Sequence, residues 1–240
     1  MRKGLIILFS MFLVASLVSC IQRMISKENL DKISNVAALS LMGDKIQFVH
    51  IGTTVFNNVE KYHSVKDWRI DDYIEGLIKN ELARNQQFAV LNVEFDREKM
   101  NDIYKVDTRI HDISKVKEYL QELALSNNVD TLFLVTHASI YFEYPSRRVE
   151  GYTLYNRSFF GKKVETEINL TLSIEVVDLR TIKTLAGGGF FTKKDIDNSY
   201  YQEEIKDLTD DQVLFIKKII FEILKEKIPS EVNKLLNKSD

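Results

Sequence analysis

The residues that could do chemistry in this 240-residue chain are few and far apart. Four histidines, His50, His63, His111 and His137, stand well separated. His50 and His137 both fall in runs that read as strands. Two such imidazoles could meet across a sheet and bind zinc if a carboxylate joined them. The alternative is two ordinary strand side chains, and no ligand spacing points to a metal. Gly187-Gly188-Gly189 could cradle a phosphate only with a helix directly after it. It lies instead inside a predicted hairpin, where glycine marks a bulge or bend in an edge strand. Paired carboxylates occur at Asp71-Asp72, Glu203-Glu204 and Asp210-Asp211. The first and last open predicted helices, where the helix dipole favours anions. There is no Gly-x-Ser-x-Gly, no His-Glu-x-x-His and no Gly-Lys-Ser/Thr. The expectation is a protein with no catalytic residue, no cofactor and no metal.

One residue does promise covalent chemistry. Cys20 is the only cysteine. Arg2 and Lys3 precede an apolar run over 5–17, shorter than the ~20 residues a spanning helix needs. The run leads through Leu17-Val18-Ser19 into Cys20. An odd cysteine in an exported chain has no internal partner and needs an explanation. The segment resembles a bacterial lipoprotein signal with its lipobox. That resemblance implies cleavage before Cys20, acylation of its thiol and amine, and a stable anchor, since two or more acyl chains hold where one does so marginally. It divides the chain into a signal at 1–19, a lipidated Cys and polar tether at 20–34, and a domain at 35–240. Ile21, where enteric lipoproteins kept in the inner membrane carry aspartate, points to an outer membrane in a two-membrane organism, with the domain facing the periplasm.

A second candidate site is a surface. Tyr141, Tyr144, Tyr152 and Tyr155 crowd two adjoining predicted strands with Phe142, Phe159, Phe160, Arg147, Arg148 and Arg157. Tyr and Arg are enriched where proteins bind one another. Tyr141 and Tyr155 would share a face if the turn centres near Arg147-Arg148. The competing reading packs half of these under helices and pairs the rest across strands. Nucleic acid is not expected as a partner. The formal charge is −2, loss of Arg2 and Lys3 makes the mature chain more acidic, and phosphate binding needs a basic face.

The elements that must position these residues follow from periodicity. Runs over 36–41 and 46–56 read as a hairpin across Gly43-Asp44. Trp68, Ile70, Tyr73, Ile74, Leu77, Ile78 and Leu82 form one face of a helix that Asp67 can cap. A strand over 88–95 follows, so strand, helix and strand imply a right-handed crossover and a parallel pair. A second helix spans 112–126. A long strand over 131–144, another over 149–160 and an alternating one over 165–179 lead to a hairpin partner over 184–192. Thr209 and Gln212 have capping-box spacing, and the helix they open is interrupted at Pro229. The composition supports a large core, being 45% hydrophobic and 28% charged. The fold class is α/β (α+β), a mixed sheet with a parallel βαβ start and antiparallel hairpins, in the order β-β-α-β-α-β-β-β-β-α.

This order resembles the amino-terminal domain of the periplasmic TolB protein, the curli-secretion lipoprotein family and the lipoprotein activators of penicillin-binding proteins. The resemblance rests on the lipobox at Cys20, on the start from Val36 through Phe95, and on Leu172-Ser173-Ile174-Glu175-Val176-Val177-Asp178-Leu179-Arg180-Thr181 followed by Lys183-Thr184-Leu185-Ala186-Gly187. It implies a non-enzymatic, membrane-anchored module that binds an envelope protein or polymer. An alternative is an oligomeric component of a curli-like export assembly, although the Gly-rich signature of a curli pore is missing. A third class is a hydrolase or metal-binding enzyme.

Overall fold

The computed structural model describes residues 24–104, 117–143, 146–200, 202 and 205–236. Cys20, with the whole signal, and Tyr144 lie outside these residues, as does the predicted helix start at 112–116. The architecture is mixed α+β, as the sequence predicts. Ten strands are β1 (Asn35–Leu41), β2 (Lys45–Ile51), β3 (Val59–Ser64), β4 (Ala89–Val90), β5 (Thr131–His137), β6 (Ser139–Glu143), β7 (Ser146–Glu150), β8 (Tyr152–Phe159), β9 (Lys162–Asp178) and β10 (Lys183–Asp195). Five described helices are α1 (Lys27–Leu30), α2 (Ile70–Arg84), α3 (Arg97–Tyr104), α4 (Lys117–Asn127) and α5 (Asp210–Leu235).

The sheet is built along β9, whose alternation of apolar and polar residues lets it serve two different faces. Antiparallel β10 covers one edge of β9, from Glu167 to Asp178. The other edge is shared end to end by two strands, β8 pairing with its first half and β5 with its second, both antiparallel. The next rank repeats the arrangement, with β1 parallel to β5 and β2 parallel to β8. The expected hairpin between β1 and β2 therefore does not exist. The two run in line, broken at Met42-Gly43-Asp44, and β2 pairs antiparallel with β3, which the sequence reading missed. A turn of three residues with Gly43 at φ 79° shifts the chain without reversing it.

The break in the neighbouring rank explains a second difference. The long strand over 131–144 divides at Ala138. Its second part, β6, leaves the sheet and pairs only with β7. The chain re-enters at Gly151, φ 57°, whose carbonyl accepts from Thr171 N at 2.8 Å. Ala138 N donates to Thr171 C=O at 3.4 Å, so one residue of β9 receives both ends of the excursion.

The crossover from β1 through α2 to β4 does give a parallel pair, but β4 holds only two residues. Beyond Val36 the edge of β1 is satisfied by carboxylates of α2. Glu75 Oε1 accepts from Ser40 N at 3.0 Å, and Asp71 Oδ1 accepts from Ser40 Oγ at 2.6 Å and from Met42 N at 2.9 Å. At Ser40 and Met42 these carboxylates take the donors that a longer β4 would have paired with. Arg97 of α3 closes the arrangement, with Nη2 2.8 Å from Glu75 Oε1.

Cores lie on both faces. Ile74, Ile78 and Leu82 of α2 and Ile220, Leu224 and Ile228 of α5 pack against Phe48, Phe133, Leu154, Leu170 and Ile174. Met100, Leu120 and Leu123 from α3 and α4 cover Leu39, Leu132, Leu134 and Val177 behind. Helix α2 begins at Ile70 without the cap expected from Asp67, which sits in a 3₁₀ turn; Arg69, at φ 52°, precedes the helix instead. The capping box of Thr209 and Gln212 forms as expected, with Thr209 N to Gln212 Oε1 at 2.9 Å. Pro229 does not interrupt α5, which runs on to Leu235. The carbonyl a proline leaves unpaired belongs to Lys225, an exposed residue whose backbone water can reach. No helix among the described residues is long and apolar enough to cross a membrane.

Candidate partner-binding surfaces

Residues 25–34, expected as part of a tether, are docked on the domain at two buried positions. Ile25 and Ile33 are buried, and Ile25 N donates to Leu235 C=O at 2.9 Å at the end of α5. Counted from Cys20, about five residues precede the first packed one, a reach of ~17 Å.

The aromatic and arginine residues of the predicted surface are dispersed. Tyr152 and Tyr155 are both buried, on opposite faces of β8, because side chains alternate along a strand. Tyr152 joins the helix-covered core and its hydroxyl donates to the Gly43 carbonyl at the strand break. Burial, with Asp71 and Asp44 near, pushes its phenol far above the ordinary range. Tyr155 lies beneath the β6–β7 hairpin, where Arg147 stacks over its ring at 3.7 Å and over Phe142 at 4.4 Å. Arg147 Nη2 reaches Glu167 Oε1 at 2.9 Å, both side chains being almost fully buried. Glu167 also accepts from Asn169 Nδ2 at 3.0 Å and from the Lys193 ammonium. Arg147 therefore clamps the hairpin to the sheet rather than facing a partner. Burial raises the Tyr155 phenol, against the opposing pull of Arg147. Tyr141 and Arg148 are exposed and directly opposite each other on the hairpin, and Arg157 is half-buried opposite Glu165.

The register keeps His50 and His137, weighed above as a possible zinc pair, apart. His137 pairs with Leu172, whereas His50 pairs with Asn156, which pairs with Thr166. Six residues of β9 put the imidazoles ~20 Å apart. His137 Nε2 instead contacts Glu150 Oε1 at 2.8 Å. The described residues do bring Glu165, Glu167 and Asp195 within metal-ligand distance of one another, a cluster the sequence reading missed. Lys193 occupies it, with Nζ 2.8 Å from Glu165 and 3.5 Å from Asp195. Burial pulls the Lys193 ammonium down, but hydrogen bonds to Glu165 and Glu167 outweigh it and hold the group above its usual range. The cluster neutralises a cation at the sheet surface, with only Glu167 buried among its carboxylates.

The glycine run also differs from expectation. Gly187, Gly188 and Gly189 keep regular pairing with Glu175, Ile174 and Ser173, and the irregularity lies one step earlier, between Thr184 and Ala186. At Gly189 the requirement is space, since a Cβ would run into the Leu172 carbonyl oxygen.

Two exposed apolar features remain. The first is a shallow cavity of about 300 Å³ between α2 and α5, lined by Tyr73, Leu214, Lys217, Lys218, Phe221 and Lys225, with Glu222 at its rim. Tyr73 and Phe221 stack at 4.4 Å to form its floor, and Leu214 is 63% exposed. Leu214 and Phe221 stand seven apart among three lysines, a stripe beside the core-facing one that could have been read from the sequence. The second feature is the end of the sheet where β2 and β8 stop. Phe56 is 95% exposed and Phe160 is 77% exposed, beside Val55, Phe159 and Val164.

No family model matches this chain, and no curated protein matches it. Among solved structures, it is similar to the hypothetical protein CT253 from Chlamydia trachomatis at 9% identity, over 83% of this chain and 98% of that one, with a TM-score of 0.36. It is also similar to the protein XCC0632 from Xanthomonas campestris at 6% identity, over 83% and 84%, with a TM-score of 0.37. A third is the PelC dodecamer from Paraburkholderia phytofirmans, at 8% identity over 88% and 93%, with a TM-score of 0.33. None of the three is named for the TolB, curli-secretion or penicillin-binding-protein-activator groups. Identities and scores this low carry none of those proteins' roles to this chain.

Proposed function

We propose that this is a bacterial envelope lipoprotein, anchored in the bilayer through acylated Cys20, that acts as a non-enzymatic binding module for an envelope protein. The anchor rests on the lipobox, and in a two-membrane organism Ile21 favours the outer membrane with the domain in the periplasm. The binding role rests on the cavity between α2 and α5. Its floor is aromatic, from Tyr73 and Phe221, and Lys217, Lys218 and Lys225 stand round it. An apolar floor rimmed by three cations and one carboxylate, Glu222, suits an apolar segment flanked by carboxylates, with the apolar contact supplying affinity and the charges supplying approach and register. A non-enzymatic reading is supported by where the perturbed groups sit. Asp71, Arg97, Tyr152 and Lys193 hold strand breaks and strand edges together.

The test is crosslinked recovery from envelope extracts by the lipidated chain, then titration of the recovered protein, purified, against wild type and a Leu214→Glu, Lys218→Glu double variant. At least a tenfold weaker dissociation constant in the variant is expected. Equal affinity would remove the cavity as the binding surface, and recovery of nothing reproducible would remove the binding role.

A further inference from the structure

The exposed end of the sheet has a chemistry distinct from the cavity. Two neighbouring loops form it, residues 52–58 after β2 and the turn 159–164 between β8 and β9. Val55, Phe56, Phe159, Phe160 and Val164 are all at least half exposed, and Phe159 and Phe160 pack edge to face at 4.6 Å. Neither loop contains an aspartate or glutamate, in a chain of net negative charge, and Lys162 and Lys163 are exposed on the second. Phe56 and Phe160 project almost fully into solvent. A protein partner would need a matching hollow for two projecting phenyl rings, whereas the headgroup layer of a bilayer deforms around them.

Several backbone donors of these loops are already satisfied from within. Thr53 Oγ1 accepts from Phe160 N at 2.7 Å, which joins the loops. Asn58 Oδ1 accepts from Gly52 N at 3.1 Å, and Thr54 C=O accepts from Asn57 N at 3.0 Å. Unpaired backbone groups are what usually keep irregular chain out of a low-dielectric layer. Here several donors have partners before any lipid arrives.

The geometry points to a second bilayer contact: we propose that the Phe56–Phe160 end inserts into the interface of the same membrane that holds acylated Cys20. This rests on the anchor reading above. The tether enters beside Leu235, near the start of β1, whereas the aromatic end lies past the end of β2. Read along β9, the span from the start of β1 to the end of β2 is ~45 Å. The tether allows the domain to rise only ~17 Å from the lipid. Both ends can therefore meet one bilayer with the long axis of the sheet lying along it. The lipid fixes one end, and phenyl insertion with attraction of Lys162 and Lys163 to anionic headgroups fixes the other.

The test uses the mature lipidated chain in phosphatidylcholine–phosphatidylglycerol vesicles carrying brominated acyl chains, which quench nearby tryptophan. Wild type supplies a low baseline, because its one tryptophan, Trp68, is buried. The Phe160→Trp variant should be quenched at least twofold more than wild type. Adding Lys162→Glu and Lys163→Glu should cut that extra quenching severalfold, with an unchanged melting curve. A chain that floats with the vesicles but shows no extra quenching overturns the contact alone. One that does not float overturns the anchor at Cys20 and this contact with it. A Phe160→Trp emission that shifts only when envelope proteins are added overturns the bilayer in favour of a protein.

Discussion

Asp71→Ala should be among the most destabilising single substitutions on α2. The Asp71 carboxylate accepts from Ser40 Oγ at 2.6 Å and Met42 N at 2.9 Å, both buried, and from Gly43 N at 3.3 Å, partly buried. A buried donor left without an acceptor costs about 1–3 kcal/mol. The Ser40 hydroxyl can rotate, so it falls at the low end, while the Met42 N–H is fixed by the strand break and cannot. The sum is about 3 kcal/mol, a large part of the 5–15 kcal/mol typical of a domain. For a domain of 150–250 residues this lowers Tm by about 6–12 °C. Asp71→Asn keeps one acceptor oxygen and should fall between. Burial raises the Asp71 carboxyl above its ordinary value, against Ser40 and Arg97. A carboxyl raised in the folded state contributes most below its unfolded pKa, and that contribution is lost as pH rises through the folded value. The gap between wild type and Asp71→Ala should therefore widen as pH falls through the folded value towards the ordinary carboxyl range. Thermal melts followed by circular dichroism read both quantities. A variant within 2 °C of wild type would refute the view that this carboxylate holds the break, and a gap that narrows on acidification would refute burial as the dominant influence on its titration.

Two further outcomes are expected. Gly189→Ala should cost at least about 2 kcal/mol because its Cβ meets the Leu172 carbonyl, whereas Gly187→Ala, which has only a 3.9 Å contact with the Ile174 carbonyl, should be within about 1 kcal/mol of wild type by urea titration. The Glu150 carboxyl is held below its usual value chiefly by its hydrogen bond with His137, so its contribution is present above the unfolded carboxyl pKa and lost as pH falls through the folded one. Glu150→Gln should accordingly cost about 1 kcal/mol near pH 6 and close on wild type near pH 3, because the pair is partly exposed and its worth is screened.

Local signals were legible wherever one element answers to itself. The alternation along β9 and the capping box at Thr209 both appear where the sequence places them. Asp71 and Glu75, four apart and next to Ile74 and Ile78, were legible as a pair of carboxylates bordering a core face, yet dipole chemistry at the helix start accounts for acidic residues equally well. Tyr155 and Arg147 show the opposite case. Their enrichment at interfaces is statistical, and the same cation–π and ion-pair chemistry serves to lock a hairpin over a sheet.

The sequence by itself determined the mixed α+β class and the buried face of α2, and it alone carries the lipobox expectation at Cys20, because each depends on periodicity or on neighbours within a few residues. Only the tertiary structure decided that β1 and β2 continue one line instead of folding back, that residues 131–144 divide at Ala138, and that Lys193 occupies the Glu165–Glu167–Asp195 cluster. Strand partners are chosen by which edges and donors remain free once the helices have packed. That choice is made between residues more than a hundred positions apart, as when Gln47 of β2 pairs with Thr153 of β8.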